Sequence, residues 1–161
     1  MSIMIGYVLL ITFVIFMGVI IYNWMKGYVP QEDLNCPDDV SLFIKDYDCS
    51  TTQLNLTLKN NGKFQVGGYF IRATNSPQQG LAIIDLSFNI TTGETVLTPT
   101  GVKINNSLDP AQEVTHKFDI SHVTPLVYSI EIIPLRWQEQ NRRKRMVICK
   151  DAKIREDLIC G

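Results

Sequence analysis

Residues 2–25, SIMIGYVLLITFVIFMGVIIYNWM, contain no charged side chain, and no other feature of the chain limits its fold as much. At 1.5 Å per residue a helix of that length reaches roughly 36 Å, enough for a bilayer core about 30 Å thick. A helix so uniformly apolar rarely faces water. The segment therefore reads as an α-helix that sits in a membrane or packs with like helices in a filament. A cleaved secretory signal is disfavoured, because the apolar stretch is longer than a typical h-region, no Lys or Arg precedes it and no small-x-small site follows. Tyr22, Trp24 and Tyr28 suit the interfacial end of a span, and Lys26 can snorkel there. Gly27 and Pro30 supply a C-cap and a stop. Gly6 and Gly18 leave helix backbone open to close approach by a neighbour, which makes them the candidate helix-packing positions.

The helix, residues 1–26, is followed by a short linker, 27–34, and by one domain-sized stretch, 35–161, long enough for a single core. The formal net charge of −1 gives no reason to expect a nucleic-acid partner. Orientation signals conflict. Lys26 on the C-terminal flank favours a cytoplasmic domain. Four cysteines, Cys36, Cys49, Cys149 and Cys160, and three N-x-S/T acceptors, Asn55, Asn89 and Asn105, favour an extracytoplasmic one. The second set weighs more, so the C-terminal domain is expected outside the cytoplasm, at the cell membrane or on a surface filament.

Period-two alternation runs through residues 35–161. Val40, Leu42 and Ile44 alternate with Ser41 and Lys45, and Leu54, Leu56 and Leu58 with Asn55, Thr57 and Lys59, before the turn signal Asn60-Asn61-Gly62. Ile84, Leu86, Phe88 and Ile90 alternate with Asp85, Ser87 and Asn89, which would put Asn55 and Asn89 on polar strand faces. Val114, Phe118 and Ile120 oppose Thr115, Lys117 and Asp119, while Tyr128, Ile130 and Ile132 oppose Ser129 and Glu131. Many short strands with one wet face, separated by turns, predict a mainly β fold, an antiparallel β-sandwich behind one long N-terminal helix.

The helix SIMIGYVLLITFVIFMGVIIYNW resembles the first helix of archaeal type IV pilin-like proteins and archaellins. The segments QLNLTLKNNGKFQVGGYFI and LDPAQEVTHKFDI look like the strand–turn–strand and edge-strand pattern of the Ig-like sandwiches that such helices carry. The resemblance implies an Ig-like sandwich displayed outside a filament whose core is built from the helices. It departs at two points. No basic leader precedes Ser2, and Ile3 rather than Pro follows it, so the expectation is either a start further upstream or an anchored relative that is never processed.

Signals for chemistry are sparse. His116 and His122 would share one strand face with Asp119 on the other, a poor metal geometry, so structural or surface roles are expected for both. Asp46 and Asp48 lack the Gly and Glu of a calcium loop and read as an acidic turn between strands. Gly67-Gly68 reads as a bulge or a close backbone approach. Neither a nucleophile elbow, a phosphate-binding loop nor a CxxC motif occurs, so no enzyme, metal or cofactor is expected. Arg142, Arg143, Lys144 and Arg145 form one dense basic run, read as a solvated hairpin tip joining residues 130–134 to 146–149 or as a patch for an acidic partner.

Four cysteines allow three pairings. The preferred one links the N- and C-terminal segments of the domain, which the chain-entropy model values at roughly 4–5 kcal/mol for a loop of more than about a hundred residues. Two function classes follow. One is a structural subunit of a type IV pilus-like surface filament, self-associating through the helix. The other is a monomeric, membrane-anchored β-sandwich that binds a surface partner.

Overall fold

The computed structural model describes residues 2–27, 35–96, 101–140 and 143–160. They fall into two compact units, Met1–Asp33 and Leu34–Gly161. The first is a single helix, α1 (Ser2–Lys26), whose span Met4–Lys26 contains an 18-residue window of mean hydropathy 2.7 with no buried residue. Length and composition suffice for it to cross a membrane or to serve as a signal sequence. Thr12, the one hydroxyl in mid-helix, returns its proton to the carbonyls of Val8 and Leu9, so it adds no unsatisfied polar group. At the C-terminal end the Lys26 ammonium lies 5.0 Å over the Tyr22 ring.

The second unit is an antiparallel β-sandwich. Its strands are β1 (Leu42–Cys49), β2 (Gln53–Asn60), β3 (Val66–Thr74), β4 (Ile84–Asp85), β5 (Thr95–Val96), β6 (Val102–Leu108), β7 (Glu113–Asp119), β8 (Ser129–Gln140), β9 (Arg143–Ile148) and β10 (Ile154–Asp157). A three-stranded sheet has the order β1-β2-β7. The larger sheet has the order β10-β8-β3-β6-β5, with β4 also paired to β3 and β9 to β8. Leu42, Leu54, Leu56, Leu58 and Phe118 of the small sheet meet Val66, Tyr69, Ile71, Ile130 and Ile132 of the large one in a continuous core. Burying each leucine contributes on the order of 1.5–3 kcal/mol.

Local chemistry explains where the ladders turn. In the Asn60-Asn61-Gly62 turn, the buried Asn60 amide donates to the carbonyls of Phe64 (2.9 Å) and Leu108 (2.8 Å), and its Oδ1 accepts from the Gly62 N–H (3.0 Å). A β-carbon at Gly62 would run into the Asp39 carbonyl and the Ser41 N–H, so only glycine closes this corner. Register shifts between Val66 and Gly68 against β6, as the paired glycines predicted. Gly68 lies against the Val102 carbonyl, and Gly67 lies under the indole of Trp137.

Three strand expectations are corrected. A bulge at Lys45 shifts β1 by one residue, so Leu42 and Ile44 face inward before it and Tyr47 and Cys49 after it. Asp46 and Asp48 are therefore exposed positions within β1, not an acidic turn. The alternating run from Ile84 supports only the two-residue β4; the chain then coils into a 3-10 turn, Ser87–Asn89, that buries Ser87 and exposes Phe88. Asn89 thus sits on that turn and not on a strand face. Finally, Ser129 and Glu131 are buried, because β8 is an interior strand flanked by β3 on one edge and β9 and β10 on the other. Ser129 shares a hydrogen bond with Thr74 (2.7 Å), and Glu131 pairs with Lys153 at 3.2 Å.

Candidate functional site

The helix surface is the first candidate. Its described side chains are exposed on every side, and a β-carbon at Gly6 or Gly18 would meet nothing within 4 Å. Both glycines therefore lie on open helix surface. Tyr28 and Pro30 lie outside the described residues.

The cysteines come together as two disulfides, Cys36 with Cys149 and Cys49 with Cys160, with Cα–Cα separations of 5.1 and 4.7 Å. Both close long loops, with sequence separations of 113 and 111, as the preferred pairing expected. The first cysteine of one segment is bonded to the first of the other, and the last to the last. Segments 36–49 and 149–160, which carry β1 and β10, thus form a covalent ring along the sandwich edge where those two strands touch. A cleft of about 380 Å³ opens beside the first bridge, between Asp38 and Val40 on one side and Asp151 and Lys153 on the other.

A polar contact also lies between the sheets. Tyr69 on β3 and His116 on β7 are both fully buried and meet between the sheets, Oη to Nδ1 at 2.5 Å with the rings stacked. Burial, reinforced by the Glu94 carboxylate, holds the Tyr69 phenol well above its usual pKa, so it stays protonated and donates to Nδ1. The imidazole proton then resides on Nε2, which points toward Glu94 Oε1 at 3.6 Å, too far for a hydrogen bond. Burial lowers the His116 pKa, and the charge of the nearby Glu94 carboxylate opposes that shift only in part. Glu94 is in turn held by the Asn105 backbone N–H at 2.7 Å. His122 is exposed beyond the end of β7, with Nδ1 3.4 Å from Asn89 Nδ2. The two histidines are therefore separated, and among the described residues no cluster of potential metal ligands forms.

The three sequon asparagines occupy different settings. Asn55 is half-buried on β2 and donates to Asp48 Oδ2 at 3.3 Å; Asn105 is exposed on β6 and donates to the Gly93 carbonyl at 3.2 Å. Of the basic run, Arg143, Lys144 and Arg145 are exposed on β9, paired across the hairpin with Gln140, Glu139 and Gln138, while Arg142 lies outside the described residues. The expected hairpin is present, but these three residues lie within its second strand rather than at its tip, because the ladder with β8 extends to Arg143. The pairing of Tyr69 with His116 had no signature in the chain, since a buried tyrosine and a buried histidine 47 residues apart show only as two members of inward-facing strand positions.

The class of molecule is thus a two-sheet, doubly disulfide-bridged β-sandwich following an apolar N-terminal helix. Comparison with family models, with curated proteins and with solved structures returned no match.

Proposed function

We propose that this chain is a structural subunit of a type IV pilus-like surface filament, with the helices packed in the core and the sandwich displayed outside the cytoplasm. The observation that carries the reading is α1, a 25-residue helix without a charge before Lys26 and without a buried side chain in its span. Such a surface leaves water only in lipid or against other apolar helices. Two disulfides support an oxidising, extracytoplasmic setting for the domain. The role is scaffolding and display rather than catalysis, with membrane lipid as the helix's partner before assembly.

Electron microscopy of the full chain after detergent removal tests the proposal. Ordered filaments with helical symmetry are expected. Reconstitution as dispersed monomers in lipid would instead favour the second reading, an anchored monomeric sandwich that binds a surface partner. That reading draws on Tyr22, Trp24 and Lys26, which form an interfacial collar at one end of the helix.

A further inference from the structure

On the outer face of the large sheet, Gln65, Lys103, Ser107, Trp137 and Lys144 line an open cleft of about 360 Å³, within the range of small-ligand sites. Four strands or strand ends converge there: the start of β3, β6, β8 and β9. The floor is set by glycine. Trp137 Cδ1 and Nε1 lie where a β-carbon of residue 67 would be, so only glycine lets the indole settle onto the sheet. The ring is supported from below yet remains 38% exposed. A rigid aromatic face set on the sheet in this way is available for a ligand to stack on.

The two charged side chains that line the cleft are both lysines. Lys103 and Lys144 make no ion pair among the described residues, whereas Lys45, Lys59, Lys63 and Lys153 each have a carboxylate partner. Lys103 pairs in register with Gly68, where the β3 and β6 backbones come close. Gln65 donates through Nε2 to Asp109 Oδ1 at 2.9 Å, which fixes the amide and leaves its carbonyl oxygen free to accept a hydroxyl proton. Ser107 adds a hydroxyl. Arg143 and Arg145 on the same hairpin strand raise the local positive potential, and Glu139, opposite Lys144, and Asp109 are the acidic neighbours.

We infer that this cleft binds an acidic saccharide. The indole takes the C–H face of a pyranose ring, Lys103 and Lys144 take its carboxylate or sulfate, and Gln65 and Ser107 take its hydroxyls. A bare inorganic anion would use the lysines and leave the indole uncovered. A single-stranded nucleic acid would use both, but a sandwich closed by two disulfides belongs to an oxidising compartment. The inference stands on the cleft and the bridges, so it is independent of whether the helix builds filaments.

Isothermal titration of the full chain in detergent with trigalacturonic acid, maltotriose and oligo(dT) tests it. Trigalacturonic acid is expected to bind, with affinity falling as salt rises, and maltotriose to bind at least about tenfold more weakly. Trp137→Ala and the double variant Lys103→Gln, Lys144→Gln should each weaken trigalacturonic acid by about tenfold or more, while Lys45→Gln, on β1 of the small sheet and already paired with Glu113, should leave it unchanged. If Trp137→Ala fails to fold, the lysine variant carries the test alone, since both its side chains reach solvent. Absence of trigalacturonic acid binding, equal binding of maltotriose, or tighter binding of oligo(dT) would overturn the assignment.

Discussion

The phenol of Tyr69 donates to Nδ1 of His116 across the dry space between the two sheets, tying β3 of one to β7 of the other at 2.5 Å. This contact holds the imidazole in the neutral form with its proton on Nε2, because a charged ring there would lose water and gain only a distant carboxylate, Glu94, at 3.6 Å. Removing the donor with Tyr69→Phe leaves Nδ1 buried and unpaired, at an expected cost of about 1–3 kcal/mol in a denaturation midpoint.

The same pair predicts a pH dependence with a definite sign. The folded-state pKa of His116 lies below its unfolded value near 6.5, so protons bind the unfolded chain first. Stability is complete above about pH 6.5 and falls as pH drops through the folded-state value, with a slope of at most about 1.4 kcal/mol per pH unit. His116→Gln should flatten thermal melts between pH 7.5 and 5. Glu113, whose pKa the Lys45 and Lys59 contacts hold low, and Asp119, held low by Ser121, act only at more acidic pH, where their contributions disappear in turn. A slope unchanged in His116→Gln would assign the pH dependence to another group.

Expressed alone in an oxidising compartment, residues 35–161 should fold as a soluble, strand-rich monomer. The core cluster and both bridges lie wholly within that unit. Far-UV circular dichroism dominated by helix, or aggregation of the isolated domain, would contradict this.

Loss of the disulfides should be more than additive. With one bridge intact, the other closes a ring of only roughly 25 residues, the two bridged segments, so removing it costs about 3.5 kcal/mol on the chain-entropy model. Removing both opens loops of more than a hundred residues and should cost about 8 kcal/mol on the same model. Urea denaturation of the Cys36→Ser/Cys149→Ser variant, the Cys49→Ser/Cys160→Ser variant and the fourfold variant measures all three. Intact mass of the untreated protein should show the loss of four hydrogens.

Asn60→Ala should rank among the most damaging single changes in the sandwich. It strips the Phe64 and Leu108 carbonyls of one shared partner, at about 1–3 kcal/mol for each one left buried and unpaired, while the Gly62 N–H keeps the Ser41 carbonyl. A midpoint shift below 1 kcal/mol would mean that water replaces the amide.

Gly18→Leu should leave the sandwich melting curve untouched while impairing filament assembly, if the helices pack through that open surface. Filaments of normal length and symmetry from the variant would show that Gly18 is not at a helix contact.

Local chemistry made part of this fold readable in advance. Leu54, Leu56 and Leu58 alternate without interruption and form the inward face of β2, and Asn60-Asn61-Gly62 turns where its dipeptide signals say it should. Gly67-Gly68 showed that backbone must come close there, though not that Trp137 was what came close. The failures share a cause. A bulge at Lys45 resets the alternation, and a polar residue such as Glu131 on an interior strand is indistinguishable in sequence from one on a wet face. Whether such a residue is buried depends on which strands flank it, and here β3, far back in the chain, pairs along one edge of β8 while β9 and β10 pair along the other. The Lys103, Trp137 and Lys144 cleft is tertiary for the same reason, since its residues come from three strands whose neighbourhood only the topology decides.

The bridge between Cys36 and Cys149 also sets the mechanical path through the molecule. Tension arriving from the helix first meets a cross-link at Cys36, and from there it passes through sulfur directly to the end of β9. A load gripped at Lys144, on that same strand, would therefore travel along covalent bonds and bypass the β1–β2 and β3–β8 ladders. Ordinary sandwiches yield to pulling when such hydrogen-bonded strands shear past one another. In this one the ladders are out of the line of force, so a tug between anchor and hairpin would stretch a chemical strap before it could unzip the sheets.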